Sequence, residues 1–396
     1  MEVNYNELKK KFCEIYGGSQ EGLRIFVGPG RVNLIGEHID YCGGLVFPAA
    51  ISLYSTVVVR VNKENVLRLA ATDLNDRVEV NLDNLESAKG LKWGNYQAGV
   101  AYMLKNAGYK LVGVDMLFHD TVPLGSGLSS SAAIELATAV TLVTLGNEEY
   151  GISKPIDMVQ MAVIGQKTEN EFCGVNCGIM DQFASAMGKK DHAILLDCAT
   201  LEYQYLPLKI EGYKIVIANT KKKRALGESK YNERVLECDE GLKILQNYLS
   251  NKNNLCDITK AEFEQYNSKI ENPIIRKRVT HVIYENDRVF KAVEALKKND
   301  IVEFGRLLVE ANDSIRDLYE VTGKELDTIT YEAMKVEGVL GSRMTGAGFG
   351  GCTVNIVPSD KVDLFIEQVG KNYKEKIGLT AEFYVCDISE GAREIK

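Results

Sequence analysis

Proline, histidine and tryptophan are scarce: the 396 residues hold 7 prolines, 4 histidines and 1 tryptophan. So little proline leaves no proline-rich linker, and the chain carries no internal repeat or low-complexity tract. The histidines, His38, His119, His192 and His281, are too dispersed for a zinc centre, and His38 alone lies in a motif. Long apolar runs are missing, none approaching the ~18 residues that span a bilayer. The opening MEVNYNELKKKFCEIYG has lysines but no apolar stretch after them, so the expected location is cytoplasmic, with no membrane partner. Basic excess is also absent. With 47 Lys and Arg against 55 Asp and Glu, the net charge is −8, which excludes nucleic acid or an anionic membrane as the main partner. The nine cysteines have no framework spacing, and Cys173 and Cys177 are three residues apart in the gap rather than two; they read as reduced, mostly buried thiols.

Charge is instead concentrated in residues 28–51, GPGRVNLIGEHIDYCGGLVFPAAI, where Arg31, Asn33, Glu37, His38 and Asp40 fall between a Gly/Pro turn and Gly43-Gly44. Strand signals flank it, LRIFV at 23–27 and LVFPAAI at 45–51, so these groups sit on a connection, where function concentrates. Apolar Val32, Leu34 and Ile35 interleave with them and imply partial burial, which a solvated surface loop would not show. A second stretch, PLGSGLSSSAA at 123–133, feeds glycines and serines into a helix-forming run from about Ser130. Free N–H groups and the positive end of a helix dipole make that an anion site, phosphate above all. No lysine closes the loop, so it is not a Walker A. A third, GSRMTGAGFGGC at 341–352, has five glycines in the run to Gly351 and, taken alone, also fits a ligand-free tight hairpin.

In this order and spacing the three stretches closely resemble the motifs of the GHMP small-molecule kinases, the first looking like the galactokinase signature. The resemblance runs from about Gly28 to the C-terminus and includes GVNCGIMDQF at 174–183. Ile39 and Cys42 depart from the signature, which more often has Thr and Asn there. It implies an α+β, two-domain fold with the active site in the interdomain cleft, and transfer of the γ-phosphoryl of ATP, with Mg²⁺, to the anomeric hydroxyl of galactose. Other sugars of the same fold family, an N-acetylhexosamine, arabinose or a galactosyl disaccharide, are the alternatives, and a non-catalytic sugar and nucleotide sensor is the reading from another class.

By that resemblance Asp181 faces the anomeric hydroxyl as base or orienting group, with Arg31 between it and the γ-phosphoryl. Glu37, His38, Ile39, Asp40, Gly178, Asp181 and Tyr231 would contact the sugar. Gly125, Ser126, Gly127, Leu128, Ser129, Ser130 and Ser131 would cradle the nucleotide. Ser131, or Ser130 in its stead, and Glu169 would hold Mg²⁺. Judged by its own neighbours, Glu169 in KTENE reads as a solvated helix face. The basic run Lys221 to Arg224 reads as a solvated turn adding positive field near the nucleotide. A monomer or weak homodimer is expected.

Periodicity and punctuation supply the elements. Asn4 and Glu7 read as a capping pair for a helix ended by Gly17-Gly18. A mostly antiparallel run of strands follows at 54–62, 66–72, 77–82 and 111–119, with a helix at 95–106. Downstream come a strand at 214–219, a helix-rich stretch, strands at 339–345 and 352–357, a helix near 360–377 and a last strand, AEFYVCDI. The domain boundary is expected between 198 and 199, with the last strand returning to the N-terminal domain.

Overall fold

The computed structural model describes residues 3–208, 210–222 and 227–396. Helix α1 (Tyr5–Tyr16) begins where the Asn4 side chain accepts the Glu7 N–H at 3.2 Å and ends at Gly17, whose φ of 73° suits a residue without a Cβ. The first half continues through β1 (Arg24–Asn33), β2 (Leu45–Val46), β3 (Pro48–Val61), β4 (Val66–Ala71) and β5 (Val78–Asn81) to α2 (Asn95–Asn106), β6 (Val114–Asp120) and α3 (Ser130–Glu149). Then come α4 (Met158–Lys167), α5 (Met180–Met187), β7 (His192–Asp197) and β8 (Tyr203–Pro207). The chain proceeds through β9 (Tyr213–Asn219), α6 (Gly227–Gln246), α7 (Lys260–Tyr266), α8 (Pro273–Lys297), α9 (Ile301–Ser314) and α10 (Lys324–Ala333). It closes with β10 (Gly341–Thr345), β11 (Cys352–Pro358), α11 (Val362–Ile377), β12 (Glu382–Cys386) and β13 (Arg393–Ile395).

Six strands form one sheet in the order β13-β1-β3-β6-β4-β5, antiparallel except for the parallel pair β4–β6. Alternation decides which helices cover which face. Ile25, Val58 and Leu117 point to α1, while their neighbours Phe26, Val57, Met116 and Phe118 join the main core under α2 to α5. A second sheet, β10-β11-β9-β12, carries α10 and α11 on the face that bears Val216 and Ala218, and contributes Ile215 and Ile217 to the main core on the other. The β7–β8 hairpin runs across the expected 198/199 boundary, and the second sheet starts only at Tyr213. AEFYVCDI pairs with β9 in that second sheet and its end returns to β3, with Ile388 opposite Ile51 and the Ser52 N–H donating to the Asp387 carbonyl at 3.0 Å; a further strand, β13, unforeseen in the sequence, pairs with β1, with Ile25 opposite Ile395. Among the described residues no helix is long and apolar enough to cross a membrane.

Two local features aim this scaffold at one place. The β1–β3 register shifts between Pro29 and Arg31, and such an irregularity re-aims the side chain beside it. Just before it, Gly28 lets α3 press on β1, since a Cβ there would stand 2.1 Å from the Ala133 carbonyl oxygen. The start of α3 is thereby set beside Arg31.

Candidate active site

Arg31 is buried, its side chain 3 % exposed, yet it reaches a cavity of about 760 Å³ whose walls come from both halves of the chain. Its Nε donates to Asp181 Oδ1 at 2.9 Å, Nη2 lies 2.8 Å from the same oxygen, and Nη1 donates to the Gly127 carbonyl at 2.6 Å. Asp181 stands in the first turn of α5, its side chain one-third exposed to the cavity, and its Oδ2 accepts the Ser129 hydroxyl at 2.5 Å. The expected pairing of Arg31 with Asp181 is therefore present, and the serine loop joins it.

Glu37 is buried, and its carboxylate is shared among donors from three places. Oε1 accepts the Gly346 N–H at 2.6 Å, while Oε2 accepts from Asn33 Nδ2 at 3.1 Å and from the Arg343 guanidinium. Burial pushes the carboxyl up to about 7, against the pull of Arg343, Arg31 and the Gly346 N–H. Arg343, itself fully buried, also donates to the carbonyls of Leu34 and Asn33 at 2.8 and 2.7 Å. The third glycine stretch is thus bolted to the first by an arginine inside it. It also touches the second, because a Cβ on Gly346, at φ 86°, would stand 2.6 Å from the Gly127 carbonyl oxygen.

His38 lines the cavity with both ring nitrogens engaged: Nε2 lies 3.2 Å from the Ala347 carbonyl and Nδ1 3.0 Å from the Tyr41 hydroxyl. A carbonyl only accepts, so Nε2 carries the hydrogen and Nδ1 accepts from Tyr41. Burial pushes this imidazole down to about 3, so it is neutral, and its hydrogen bond to the Ala347 carbonyl ties the first motif to the third. The expected contact with a sugar hydroxyl rests on its place on the cavity wall. His281, outside any of the motifs, is fully buried, with Nε2 3.1 Å from the Glu37 carbonyl oxygen and Nδ1 2.9 Å from Ser314 Oγ.

Asp40, Gly178 and Tyr231 line the cavity together. Glycine at 178 is dictated by Asp40, whose Oδ2 would lie 2.0 Å from any Cβ there. Burial first, then the Asp181 charge, push Asp40 up to about 6. Tyr231, from α6, packs its ring 5.6 Å from that of His38 and 5.4 Å from that of Tyr41. Ile39 does not line the cavity: its side chain is fully buried in the core, as apolarity dictates. Of the seven loop residues, Gly125, Ser130 and Ser131 form cavity wall. The other four do not. The Ser126 hydroxyl donates to the Pro123 carbonyl, Leu128 is core, Gly127 serves Arg31, and Ser129 serves Asp181.

Glu169 is not a solvated residue. It is 7 % exposed in a π-helical turn, Thr168–Cys173, that extends α4 and turns the carboxylate inward. Burial pushes it up, and a hydrogen bond from Ser131 opposes this. Behind it Glu135 is fully buried and pushed up by burial and by Glu169, and Gln182 Nε2 donates to both, at 3.1 and 3.3 Å. Among the described residues neither glutamate has a cationic partner, and the two carboxyls hydrogen-bond to each other. A serine hydroxyl and a carboxylate on the cavity wall fit Mg²⁺, which binds few protein oxygens and keeps phosphate and water. Of the basic run, Lys221 and Lys222 pair with Glu382 and Glu325 at 3.0 and 2.7 Å; residues 223 and 224 lie outside the described residues.

Sequence reasoning passed over Arg343, Gln182 and Glu135. Only Arg343 had a signal, a charged residue inside a glycine-rich stretch.

Comparison with known proteins agrees with this geometry. The family model described as the galactokinase galactose-binding signature matches residues 10–61, and those of the GHMP kinase N-terminal and C-terminal domains match 95–189 and 292–375. The chain is 49 % identical to galactokinase of Clostridium tetani, over 99 % of this chain and 98 % of that one. It is 46 % identical to that of Bacillus subtilis, over 98 % and 99 %. The crystal structure of Lactococcus lactis galactokinase complexed with galactose superposes with a TM-score of 0.93, at 42 % identity over 99 % of this chain and 100 % of that one. A mevalonate kinase at 19 % identity and TM-score 0.62, over 92 % and 98 %, shares the fold.

Proposed function

Because the chain belongs to the galactokinase family of GHMP kinases, we propose that it transfers the γ-phosphoryl of ATP to the anomeric hydroxyl of α-D-galactose, giving galactose 1-phosphate and ADP. The observation that carries this is the Arg31–Asp181 pair at the edge of a cavity to which all three motifs contribute. Asp181 takes or orients the hydroxyl hydrogen as the sugar oxygen bonds to phosphorus and the bond to the ADP oxygen breaks. Arg31 holds Asp181 and supplies positive charge where it builds on the transferred group. Asp40, Glu37 and Tyr231 bound the sugar end, and Ser130 and Ser131 at the start of α3 bound the phosphate end. When bound to Ser131 and Glu169, Mg²⁺ supplies charge neutralisation for the triphosphate.

Ile39 and Cys42, the departures that left room for another sugar, are both buried outside the cavity wall, which supports galactose. The intact serine loop with Arg31 and Asp181 supports an enzyme over a sensor. The test is ADP release with ATP and Mg²⁺ over galactose, glucose, N-acetylgalactosamine, arabinose, lacto-N-biose and mevalonate. Galactose is expected to lead, and Asp181→Asn to lower kcat by more than about 10³-fold while the fold is kept. Another sugar leading refutes the substrate, and binding without turnover refutes the enzyme.

A further inference from the structure

We propose that Ser129 is a positioning residue for phosphoryl transfer, fixing the rotation of the Asp181 carboxylate; this rests on reading Asp181 as the group that faces the sugar hydroxyl. Ser129 stands where a serine ordinarily caps a helix, and its carbonyl does accept the Ala133 N–H at 3.0 Å. An N-cap serine normally keeps an extended backbone and turns its hydroxyl to its own helix. Ser129 does neither. Its backbone is left-handed, φ 61° and ψ 53°, and its side chain caps nothing. That conformation is unfavourable for any residue with a Cβ, and Gly125 and Gly127 beside it fill left-handed positions with glycine. A turn alone would be served better by a third glycine. What serine adds is the hydroxyl, which crosses to α5 and donates to Asp181 Oδ2 at 2.5 Å.

The effect follows from the torsional softness of aspartate. Rotation about its last bond is broad, so one anchored oxygen leaves the other free to swing. Arg31 on β1 anchors Oδ1, and Ser129 at the start of α3 anchors Oδ2 from another element. With both held, the carboxylate presents one face to the cavity. Because the hydroxyl is spent on Asp181, the first turn of α3 keeps its N–H groups uncapped at the phosphate end.

The test uses the full-length protein with Ser129→Ala, Ser129→Gly and Ser129→Thr, measuring kcat, both KM values and Tm. In Ala and Gly, kcat is expected to fall by about 10- to 100-fold, the scale of a small misplacement, with KM for galactose and ATP held within about threefold. Glycine relieves the left-handed strain and should melt no lower than alanine, whereas threonine is β-branched and should melt lower while keeping more turnover than either. A merely structural role predicts the reverse, turnover following Tm. Turnover that tracks Tm, or kcat of Ala and Gly within about twofold of wild type, overturns the assignment. If threonine does not fold, the alanine and glycine values decide alone. Should Asp181→Asn remain active, the reading of Asp181 fails first; an inactive Asp181→Asn beside an unimpaired Ser129→Ala removes Ser129 only.

Discussion

Replacing Arg343 by methionine should both destabilise the protein and make the loss pH-dependent. Arg343 is fully buried and makes hydrogen bonds to the Leu34 and Asn33 carbonyls and to the Glu37 carboxylate. Methionine fills much of the volume but leaves Glu37 buried without its guanidinium, a change that costs about 3–5 kcal/mol. Against a total stability of about 5–15 kcal/mol, that is a Tm lower by roughly 5–10 °C. The pH term follows from Glu37, whose carboxyl burial has raised from its ordinary 4.5 to about 7. A raised carboxyl favours the protonated form in the fold, so its contribution is complete below 4.5 and is lost as pH rises through about 7. Arg343 is the largest influence opposing that rise; without it the folded value climbs and the window extends above 7. The deficit of Arg343→Met should therefore widen from pH 5.5 to pH 8.5, by at most about 1.4 kcal/mol per unit. Urea unfolding at three pH values, with Glu37→Gln and the double variant alongside, reads this directly. The double variant should lose the pH-dependent part. A deficit flat with pH, or below about 1 kcal/mol, would refute the buried pair as the link between the first and third motifs.

Other perturbations reach other parts of the site. Gly178→Ala, which forces Asp40 from its place, should raise KM for galactose by at least about tenfold with kcat less affected; an unchanged KM would separate Asp40 from the sugar. Glu169→Gln should raise the Mg²⁺ needed for half-maximal activity by about 10- to 100-fold, and an unshifted metal titration would remove Glu169 as ligand. Burial lowers His281 from 6.5 to about 4, so its neutral ring contributes stability above 6.5 that is lost as pH falls to 4. His281→Gln should therefore flatten the acid limb of stability in that window by about one proton; an unchanged slope would show that the ring is protonated in the fold.

Much of the scaffold was legible because it is local. Asn4 and Gly17 bracket a helix by their own capping chemistry, residues 95–106 are helical as their pattern requires, and the alternation through β3 announces two covered faces. The three motifs were legible for the same reason: glycines and serines in sequence make a loop that can approach an anion. Partners across long separations were not. Nothing near Glu37 announces Arg343, and nothing near Ser129 says that its hydroxyl leaves its own helix for Asp181. Glu169 looked solvated because its neighbours are polar, yet a π-helical turn buries it. Ile39, read as a sugar contact from its place in the motif, faces the core because an apolar side chain is stabilised by burial rather than by a sugar cavity. Sequence alone determined which chemical groups the protein brings to the reaction. The tertiary structure decided which of them face the cavity and which hold the others in place, since packing distant segments fixes which buried polar groups must satisfy one another.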